Sequence, residues 1–173
     1  MSWLLDADVL SQPAKRNGDR RVIEWPEQEE SRCHTSTIVI AQLAYWVRSK
    51  EGRPPEALRR WLRQLLDAME GRILGFSVVV AHVWAEQQRA LEEAGLRMPL
   101  ADSYIAAAAR RHGLTVVTGN DRDFRRPGVK VFNPFREPRQ PALSSRGASS
   151  VSGDEGSARR RILRDPSSRS PSG

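Results

Sequence analysis

The sequence has few of the features that mark secreted or membrane proteins. Cys33 is the only cysteine among the 173 residues, which excludes an internal disulfide and fits a reducing compartment. The longest apolar stretch, around residues 73–85, is too short to span a bilayer and contains His82. The first ten residues include Asp6 and Asp8 and no basic residue, so a signal peptide is not expected. These absences predict a cytoplasmic protein that does not enter a membrane.

Acidic residues are fewer than basic ones, and more than half of the excess positive charge lies at one end of the chain. The formal net charge is +7, but residues 139–173 carry seven arginines against three acidic residues, so +4 belongs to that segment. Residues 1–138 are therefore only mildly basic, which is weak support for a nucleic-acid partner. Residues 139–173 are rich in Ser, Gly, Pro and Arg and have too few large apolar side chains to pack. The sequence predicts one domain over 1–138 and a disordered tail over 139–173.

Short apolar runs alternate with stretches of helical periodicity along residues 1–138. Strands are expected at 3–5, 33–35, 72–76, 115–118 and 129–132. Helices are expected at 21–29, 38–49, 55–70, 79–93 and 99–113, and a polar turn at 119–121. In the helix at 38–49, the residues expected to face inward are Ile38, Ala41, Tyr45 and Trp46. Strands alternating with helices predict an α/β fold with a mainly parallel sheet.

The helix expected to end at Gly113 and the strand after it form the most informative unit. Pro99 and Gly113 mark its two ends, because proline is tolerated in a first helical turn and glycine is favoured after the last. Asp102 is then expected in the first turn, where the helix dipole favours an ionised carboxylate. Asn120 and Asp123 are expected just beyond the carboxyl end of the next strand, where open α/β sheets build their sites.

Asp6 is expected to join these side chains from a distant part of the chain, because it ends the first predicted strand. Gathered carboxylates repel one another, so a fold that brings Asp6, Asp102 and Asp123 together is expected to bind a cation. Ligands that are all oxygen atoms indicate Mg²⁺ or Mn²⁺. Such an ion can activate water and neutralise charge on a phosphodiester during cleavage. For Asp121 and Asp123 taken singly, a role in the turn is at least as good an explanation.

Four segments of the chain carry a resemblance to a known family. They are LLDADVLS at 4–11, TSTIVIAQL at 35–43, ADSYIAAAARRHGLTVVTGNDRDF at 101–124 and VKVFNPF at 129–135. In their order and spacing they resemble the PIN-domain family, and within it the toxins of bacterial VapBC- and FitAB-type toxin–antitoxin pairs. The resemblance implies a Mg²⁺-dependent endoribonuclease on a three-layer α/β/α sandwich. It also implies a homodimer that is held inactive by a small cognate antitoxin.

The resemblance assigns roles to individual residues. The metal-binding positions it marks are Asp6, Asp102, Asn120 and Asp123. Asp6 matches the family's first acid and Asp102 its third, while Asn120 takes the place of the fourth, where the family has Asp or Asn. Ser36 and Thr118 match small hydroxyl positions that support the acids or the metal-bound water. RNA is the substrate that the resemblance implies.

Two positions depart from the family pattern. The family's second acid is a Glu followed by Leu, and here that catalytic position is Gln42. Glutamine keeps the shape and one carbonyl oxygen but loses the negative charge and cannot act as a base. Asp8 stands where the family usually has Asn, and this extra carboxylate beside Asp6 would partly restore the charge. The alternative prediction is therefore a catalytically weakened PIN-like module that binds an antitoxin or RNA without cutting.

Overall fold

A five-stranded sheet forms the centre of the molecule. The computed structural model describes residues 1–50 and 55–136, so the tail predicted over 139–173 lies outside the described residues. The strands are β1 (Trp3–Leu5), β2 (Cys33–Ser36), β3 (Ile73–Leu74), β4 (Thr115–Val117) and β5 (Lys130–Phe132). They lie in the order β3-β2-β1-β4-β5, and every pairing is parallel. The predicted α/β sandwich is confirmed.

The direction in which the chain builds the sheet reverses beside β1. The chain first adds β2 and β3 on one side of β1 and then crosses back to add β4 and β5 on the other. Open α/β sheets bind ligands at such a switch point, outside the carboxyl ends of the strands. Leu5 is in register with Val117, and the Asp6 N–H donates to the Val117 carbonyl at 3.0 Å. Asp6 and Thr118 therefore leave their strands side by side at this point.

Helices connect the strands and cover both faces of the sheet. In the described residues they are α1 (Ala7–Leu10), α2 (Arg20–Gln28), α3 (Thr37–Arg48), α4 (Glu56–Ala68), α5 (Val78–Glu93), α6 (Leu100–His112) and α7 (Asp121–Phe124). Leu4 and Leu5 have no exposed surface, although successive side chains of a strand point to opposite faces. Both faces of β1 are therefore covered, as expected for a parallel sheet. No helix in these ranges combines the length and apolar character needed to cross a membrane.

The predicted ends of α6 are confirmed. The helix begins after Pro99 and ends at Gly113, whose φ of 66° lies in the left-handed region that glycine adopts without strain. Asp102 lies in its first turn. Helix α3 begins at Thr37, one residue before the predicted start, and the Ser36 Oγ caps it by accepting a hydrogen bond from the Val39 N–H at 3.3 Å.

Three local predictions were wrong. The residues predicted as a polar turn run directly into α7, so Asp121 and Asp123 lie on a one-turn helix that is too short to show a periodic pattern. The strand predicted over 72–76 is reduced to the two residues of β3. In α3 the buried side chains are Val39, Leu43 and Val47, whereas Tyr45 is 75% exposed. Apolar side chains occur on all sides of α3, so their helical spacing alone could not identify the face that is buried.

Candidate acidic active site

A pocket of about 410 Å³ lies at the carboxyl ends of β1 and β4. Its walls come from the segment after β1, from α3, from the first turn of α6 and from the residue before α7. The lining residues are Asp6, Ala7, Asp8, Ser11, Lys15, Gln42, Leu43, Trp46, Asp102 and Asn120. We call this cavity the acidic pocket. Side chains that are up to 114 positions apart in the chain, at Asp6 and Asn120, thus face one space.

Asp6 is the most firmly held carboxylate of the acidic pocket. Its Oδ1 accepts a hydrogen bond from the Ala7 N–H at 2.7 Å, and its Oδ2 accepts one from the Thr118 hydroxyl at 2.8 Å. The Thr118 Oγ1 in turn accepts from the Asn120 N–H at 3.0 Å, which links the ends of β1 and β4. Burial, and next the charge of Asp8, raise the pKa of Asp6 to about 7 despite these hydrogen bonds.

Asp8 joins the same two segments but keeps one oxygen without a partner. Its Oδ2 accepts a hydrogen bond from the Gly119 N–H at 2.7 Å, whereas its Oδ1 is buried and has no hydrogen-bond partner. A Cβ atom at position 119 would lie 2.8 Å from the Asp8 Oδ2 and 2.9 Å from the Phe135 ring, so the close approach requires glycine. Burial raises the pKa of Asp8. The Gly119 N–H, the charge of Lys15 and, more weakly, the N–H groups of Val9 and Asn120 oppose this shift.

Gln42 presents a second buried oxygen without a partner. It projects from α3, and its Oε1 has no hydrogen-bond partner. The described residues contain four buried side-chain atoms of this kind, and the other two are indole nitrogens of tryptophans. Both unpartnered oxygens of the described chain therefore belong to residues that line the acidic pocket, although buried polar atoms are normally paired.

Asp102 enters the acidic pocket from the first turn of α6. Burial, and then the charges of Asp123 and Asp8, raise the pKa of Asp102 to about 6. The turn that carries it is fastened to α5 through the neighbouring Ser103. The Ser103 Oγ accepts a hydrogen bond from the Trp84 Nε1 at 2.8 Å and donates one to the Leu100 carbonyl at 2.6 Å. The Asp102 carboxylate is half-buried, and the hydrogen bonds of Ser103 hold the backbone that carries it in place.

The remaining predicted residues surround the acidic pocket rather than line it. The Asn120 Nδ2 donates a hydrogen bond to the Asp123 Oδ2 at 2.8 Å, so Asp123 contacts a lining residue from α7. Ser36 is buried and caps α3, the helix that carries Gln42. The residues that the structure brings together at the cavity itself are Asp6, Asp8, Gln42, Asp102 and Asn120.

Sequence reasoning missed five lining residues, of which Ser11, Lys15 and Trp46 carry polar or aromatic groups. Trp46 lies four positions after Gln42 on α3, a spacing that places both on one helix face and would have identified it. Lys15 is the one basic residue lining the pocket within the described chain, and its position depends on the irregular turns after α1. Neither periodicity nor a motif marks Lys15 or Ser11.

Asp121 lies next to the acidic pocket in sequence but has different surroundings. Its Oδ1 accepts a hydrogen bond from the Asn133 Nδ2 at 3.0 Å, and its Oδ2 forms an ion pair with Arg125 at 2.9 Å. Arg136 lies 3.5 Å from the Oδ1. Burial favours a higher pKa, but these hydrogen bonds and charges outweigh it and lower the pKa of Asp121. We call Asp121, Arg125, Asn133 and Arg136 the Asp121 cluster, and its contacts favour the structural role that the turn interpretation allowed.

The donor atoms of the acidic pocket fit a hard divalent cation. The possible ligands are carboxylate and amide oxygens, which suit Mg²⁺ or Mn²⁺. Within residues 1–50 and 55–136, no three His, Cys, Asp or Glu side chains are grouped closely enough to hold an ion by themselves. Mg²⁺ usually takes one or two carboxylates and keeps several waters, so such a group is not required. A cation would also satisfy the unpartnered oxygens of Asp8 and Gln42.

The fold and the pocket together define an α/β protein with an oxygen-lined acidic site at the switch point of a parallel sheet. The family model for the PIN domain matches residues 3–130, which is more than half of the chain. The chain therefore belongs to the PIN domain family, as its motifs predicted.

Individual proteins resemble the chain over most of their length. It is 34% identical to Toxin FitB of Neisseria gonorrhoeae over 139 residues, which covers 78% of this chain and 99% of that protein. It is 30% identical to VapC ribonuclease Y4jK of Sinorhizobium fredii, covering 76% of this chain and 96% of that protein. A crystal structure of FitAcB from Neisseria gonorrhoeae superposes with a TM-score of 0.71 at 33% identity, covering 78% of this chain and 99% of that one.

Proposed function

We propose that this protein is a Mg²⁺- or Mn²⁺-dependent endoribonuclease and the toxin of a type II toxin–antitoxin pair. The similarity to a protein named a toxin and to one named a ribonuclease supports the biological role and the reaction. The observation that carries the proposal is the acidic pocket, where Asp6 and Asp102 line one cavity together with Asp8 and Gln42, two residues that each have an unpartnered oxygen.

In this proposal Asp6, Asp102 and Asn120 hold the cation. The cation supplies Lewis-acid chemistry, which activates water and neutralises charge on the scissile phosphodiester. Thr118 and the Ala7 N–H keep the Asp6 carboxylate in one orientation through hydrogen bonds to both of its oxygens. Asp123 accepts from the Asn120 amide nitrogen, which leaves the Asn120 carbonyl oxygen as the acceptor for the site.

Lys15 fits the same proposal as a group that meets the substrate. It carries positive charge at a cavity otherwise lined by three carboxylates, so an incoming phosphate encounters at least one favourable charge before it reaches the cation. Trp46 offers an aromatic surface in the same cavity, next to Gln42. Aromatic faces of this kind stack on the bases of single-stranded nucleic acid without requiring a particular sequence.

Gln42 favours a second candidate function. A neutral side chain at this position removes a negative charge from the acidic pocket, and the Gln42 Oε1 has no partner to compensate. A chain that binds RNA or an antitoxin but cuts slowly or not at all is consistent with this residue. The two candidates differ in one measurement, because the second retains RNA affinity and shows no cleavage with any divalent metal.

The proposal includes a homodimer and a cognate antitoxin as partners. Val78 and Val79 at the start of α5 and Leu100 at the start of α6 are 75%, 51% and 59% exposed. Phe76, which is 38% exposed, packs against Tyr104 of α6, with ring centroids 4.8 Å apart. Exposed apolar side chains on two neighbouring helices support a protein-binding surface. A cytoplasmic location belongs to the same proposal.

Cleavage of RNA by the purified full-length chain tests the proposed function. Wild type and Asp102→Asn are compared with Mg²⁺, with Mn²⁺ and with EDTA. Cleavage is expected from wild type in the two metals, and neither from Asp102→Asn nor in EDTA. Equal cleavage by both proteins would contradict the assigned site, and cleavage in EDTA would contradict the metal requirement. Retained RNA binding without any cleavage would select the second candidate.

A further inference from the structure

The distribution of hydrogen bonds distinguishes Asp8 from Asp6, the buried acid of the acidic pocket. Both oxygens of Asp6 accept hydrogen bonds from the protein. Asp8 uses one oxygen in the same way, for the Gly119 N–H, and its Oδ1 remains buried without a partner. Leaving a buried acceptor unsatisfied is unfavourable, so a positively charged group that reached this oxygen would stabilise the folded chain.

Gln42 provides a second acceptor in the same condition. Its Oε1 is buried, lacks a partner and belongs to a residue that lines the same cavity as Asp8. One positively charged group that contacts both oxygens would satisfy them together. Lys15 lines the cavity, but it forms no ion pair with Asp8 among the described residues, so the chain's own cation does not fill this role.

We propose that Asp8, through Oδ1, and Gln42, through Oε1, are direct ligands of one divalent cation in the acidic pocket. This inference rests on the metal-dependent function proposed above. Asp8 would then contribute the negative charge that Gln42 lacks. Asp8 is thereby a ligand and not merely a clamp between the ends of β1 and β4.

Replacement of Asp8 by asparagine separates the two roles. The asparagine side chain could still accept from the Gly119 N–H through its one carbonyl oxygen, so the clamp would remain. The substitution would, however, remove the charge and replace an acceptor by an amide group. Asp8→Asn is therefore close to isosteric and changes the property that a cation requires while leaving the structural contact in place.

The experiment measures Mn²⁺ affinity of the full-length chain by calorimetry and its thermal stability without metal. The variants are Asp8→Asn, Gln42→Glu, the double variant and Asp102→Asn. Asp8→Asn is expected to weaken Mn²⁺ binding at least about tenfold, the lower end of the loss seen when even an outer partner of a metal site is removed. Without metal the same variant is expected to melt at a higher temperature, because the repulsion between Asp6 and Asp8 is relieved.

The double variant tests whether the two oxygens share one ion. Gln42→Glu places a carboxylate at the second oxygen, so adding it to Asp8→Asn is expected to restore most of the lost affinity. Failure of this rescue in a folded protein would overturn the shared site. Unchanged Mn²⁺ affinity in Asp8→Asn would overturn the ligand role of Asp8 and leave the clamp as its explanation.

Asp102→Asn distinguishes this inference from the proposed function. If Asp102→Asn weakens Mn²⁺ binding while Asp8→Asn does not, the inference about Asp8 fails and the metal-dependent function stands. If the wild-type chain shows no saturable Mn²⁺ binding, the metal-dependent function fails and the inference falls with it.

Discussion

The acidic pocket and the Asp121 cluster show two ways in which the same chain treats carboxylates. Asp121 is almost completely buried, yet both of its oxygens have partners and its pKa is lowered. In the acidic pocket the pKa values of Asp6 and Asp102 are raised, and one oxygen of Asp8 has no partner. Asn120, at the edge of the pocket, directly precedes Asp121 in the chain. Asp6 and Asp121 both have little exposed surface and a partner on each oxygen. The difference therefore lies in how strongly burial acts and in the neighbouring charges, because Asp8 lies beside Asp6 whereas Arg125 and Arg136 lie beside Asp121.

This comparison separates acids that stabilise the fold from acids that are kept for a ligand. A structural carboxylate is surrounded by donors that favour its charged form. Carboxylates that remain close to one another, with too few donors, are costly unless something else binds them, which is why perturbed pKa values indicate candidate functional sites. The same chemical change, Asp to Asn, should therefore have opposite effects in the two regions.

Asp102→Asn should produce the largest effect. Removing this carboxylate is expected to reduce RNA cleavage by at least about 100-fold, comparable to losing one preorganised electrostatic group in an active site. Thermal stability without metal should stay the same or rise, because a partly buried acid with no hydrogen-bond donor disappears. Initial rates of RNA cleavage and thermal melting measure both effects. A loss of stability parallel to the loss of activity would remove the contrast with Asp121.

Asp121→Asn is the matched variant in the other region. It is expected to lower the free energy of unfolding by about 1–3 kcal/mol, because the charged hydrogen bonds of the Asp121 carboxylate to Arg125 and Asn133 are weakened or lost. Cleavage per folded molecule should be unchanged. Urea unfolding together with the cleavage rate at low temperature tests this expectation. A large loss of activity with normal stability would instead assign Asp121 to the active site.

Gln42→Glu should add a negative charge to the acidic pocket. The new carboxylate is expected to increase RNA cleavage about tenfold, equivalent to about 1.4 kcal/mol of transition-state stabilisation. Without metal it should lower the melting temperature, because a further negative charge joins Asp6 and Asp8. Gln64→Glu on the exposed side of α4 is a control that adds the same charge elsewhere. Equal activity of wild type and Gln42→Glu would show that the charge at this position is not limiting.

The smallest expected effect is a difference in pH dependence. The folded pKa values of about 7 for Asp6 and about 6 for Asp102 lie above the ordinary 3.8, so both acids stabilise the metal-free fold at low pH. This contribution is lost as the pH rises through about 6 and 7. The lowered pKa of Asp121 acts oppositely, and its contribution is lost as the pH falls.

Asp102→Asn should flatten the decline in stability above about pH 5, and Mg²⁺ should stabilise wild type at about pH 8 more than at about pH 5. Melting curves with and without metal measure these shifts.

The sequence was sufficient to place Asp6 and Asp102 because each is tied to a local signal. Asp6 follows a short apolar run, and Asp102 lies between a proline and a glycine that mark the ends of a helix. Parallel pairing then carries both to one edge of the sheet. The position of Gln42 came from the family resemblance, since nothing local distinguishes it from other polar residues of α3.

Features that depend on contacts between distant segments could not be predicted. Asp8 is held through one oxygen by the N–H of Gly119, which lies 111 residues later in the chain, and its other oxygen has no partner. Neither fact can be read from the residues around Asp8. The inward face of α3 is set by the sheet and α4, not by the spacing of its apolar residues, so Tyr45 was assigned to the wrong side. The four-residue helix α7 gives no periodic signal, and the arginines that hold Asp121 come from beyond it.

The absence of a side chain at Gly119 has a practical consequence. A single methyl group there would clash with its neighbours, since it would lie 2.8 Å from the Asp8 carboxylate and 2.9 Å from the Phe135 ring. Gly119→Ala would thus change the spacing of the acids without removing any of them. Under the proposed function, such a protein would keep its outer surface and its charge but lose the geometry needed for cleavage. It could then be used to capture binding partners from living cells.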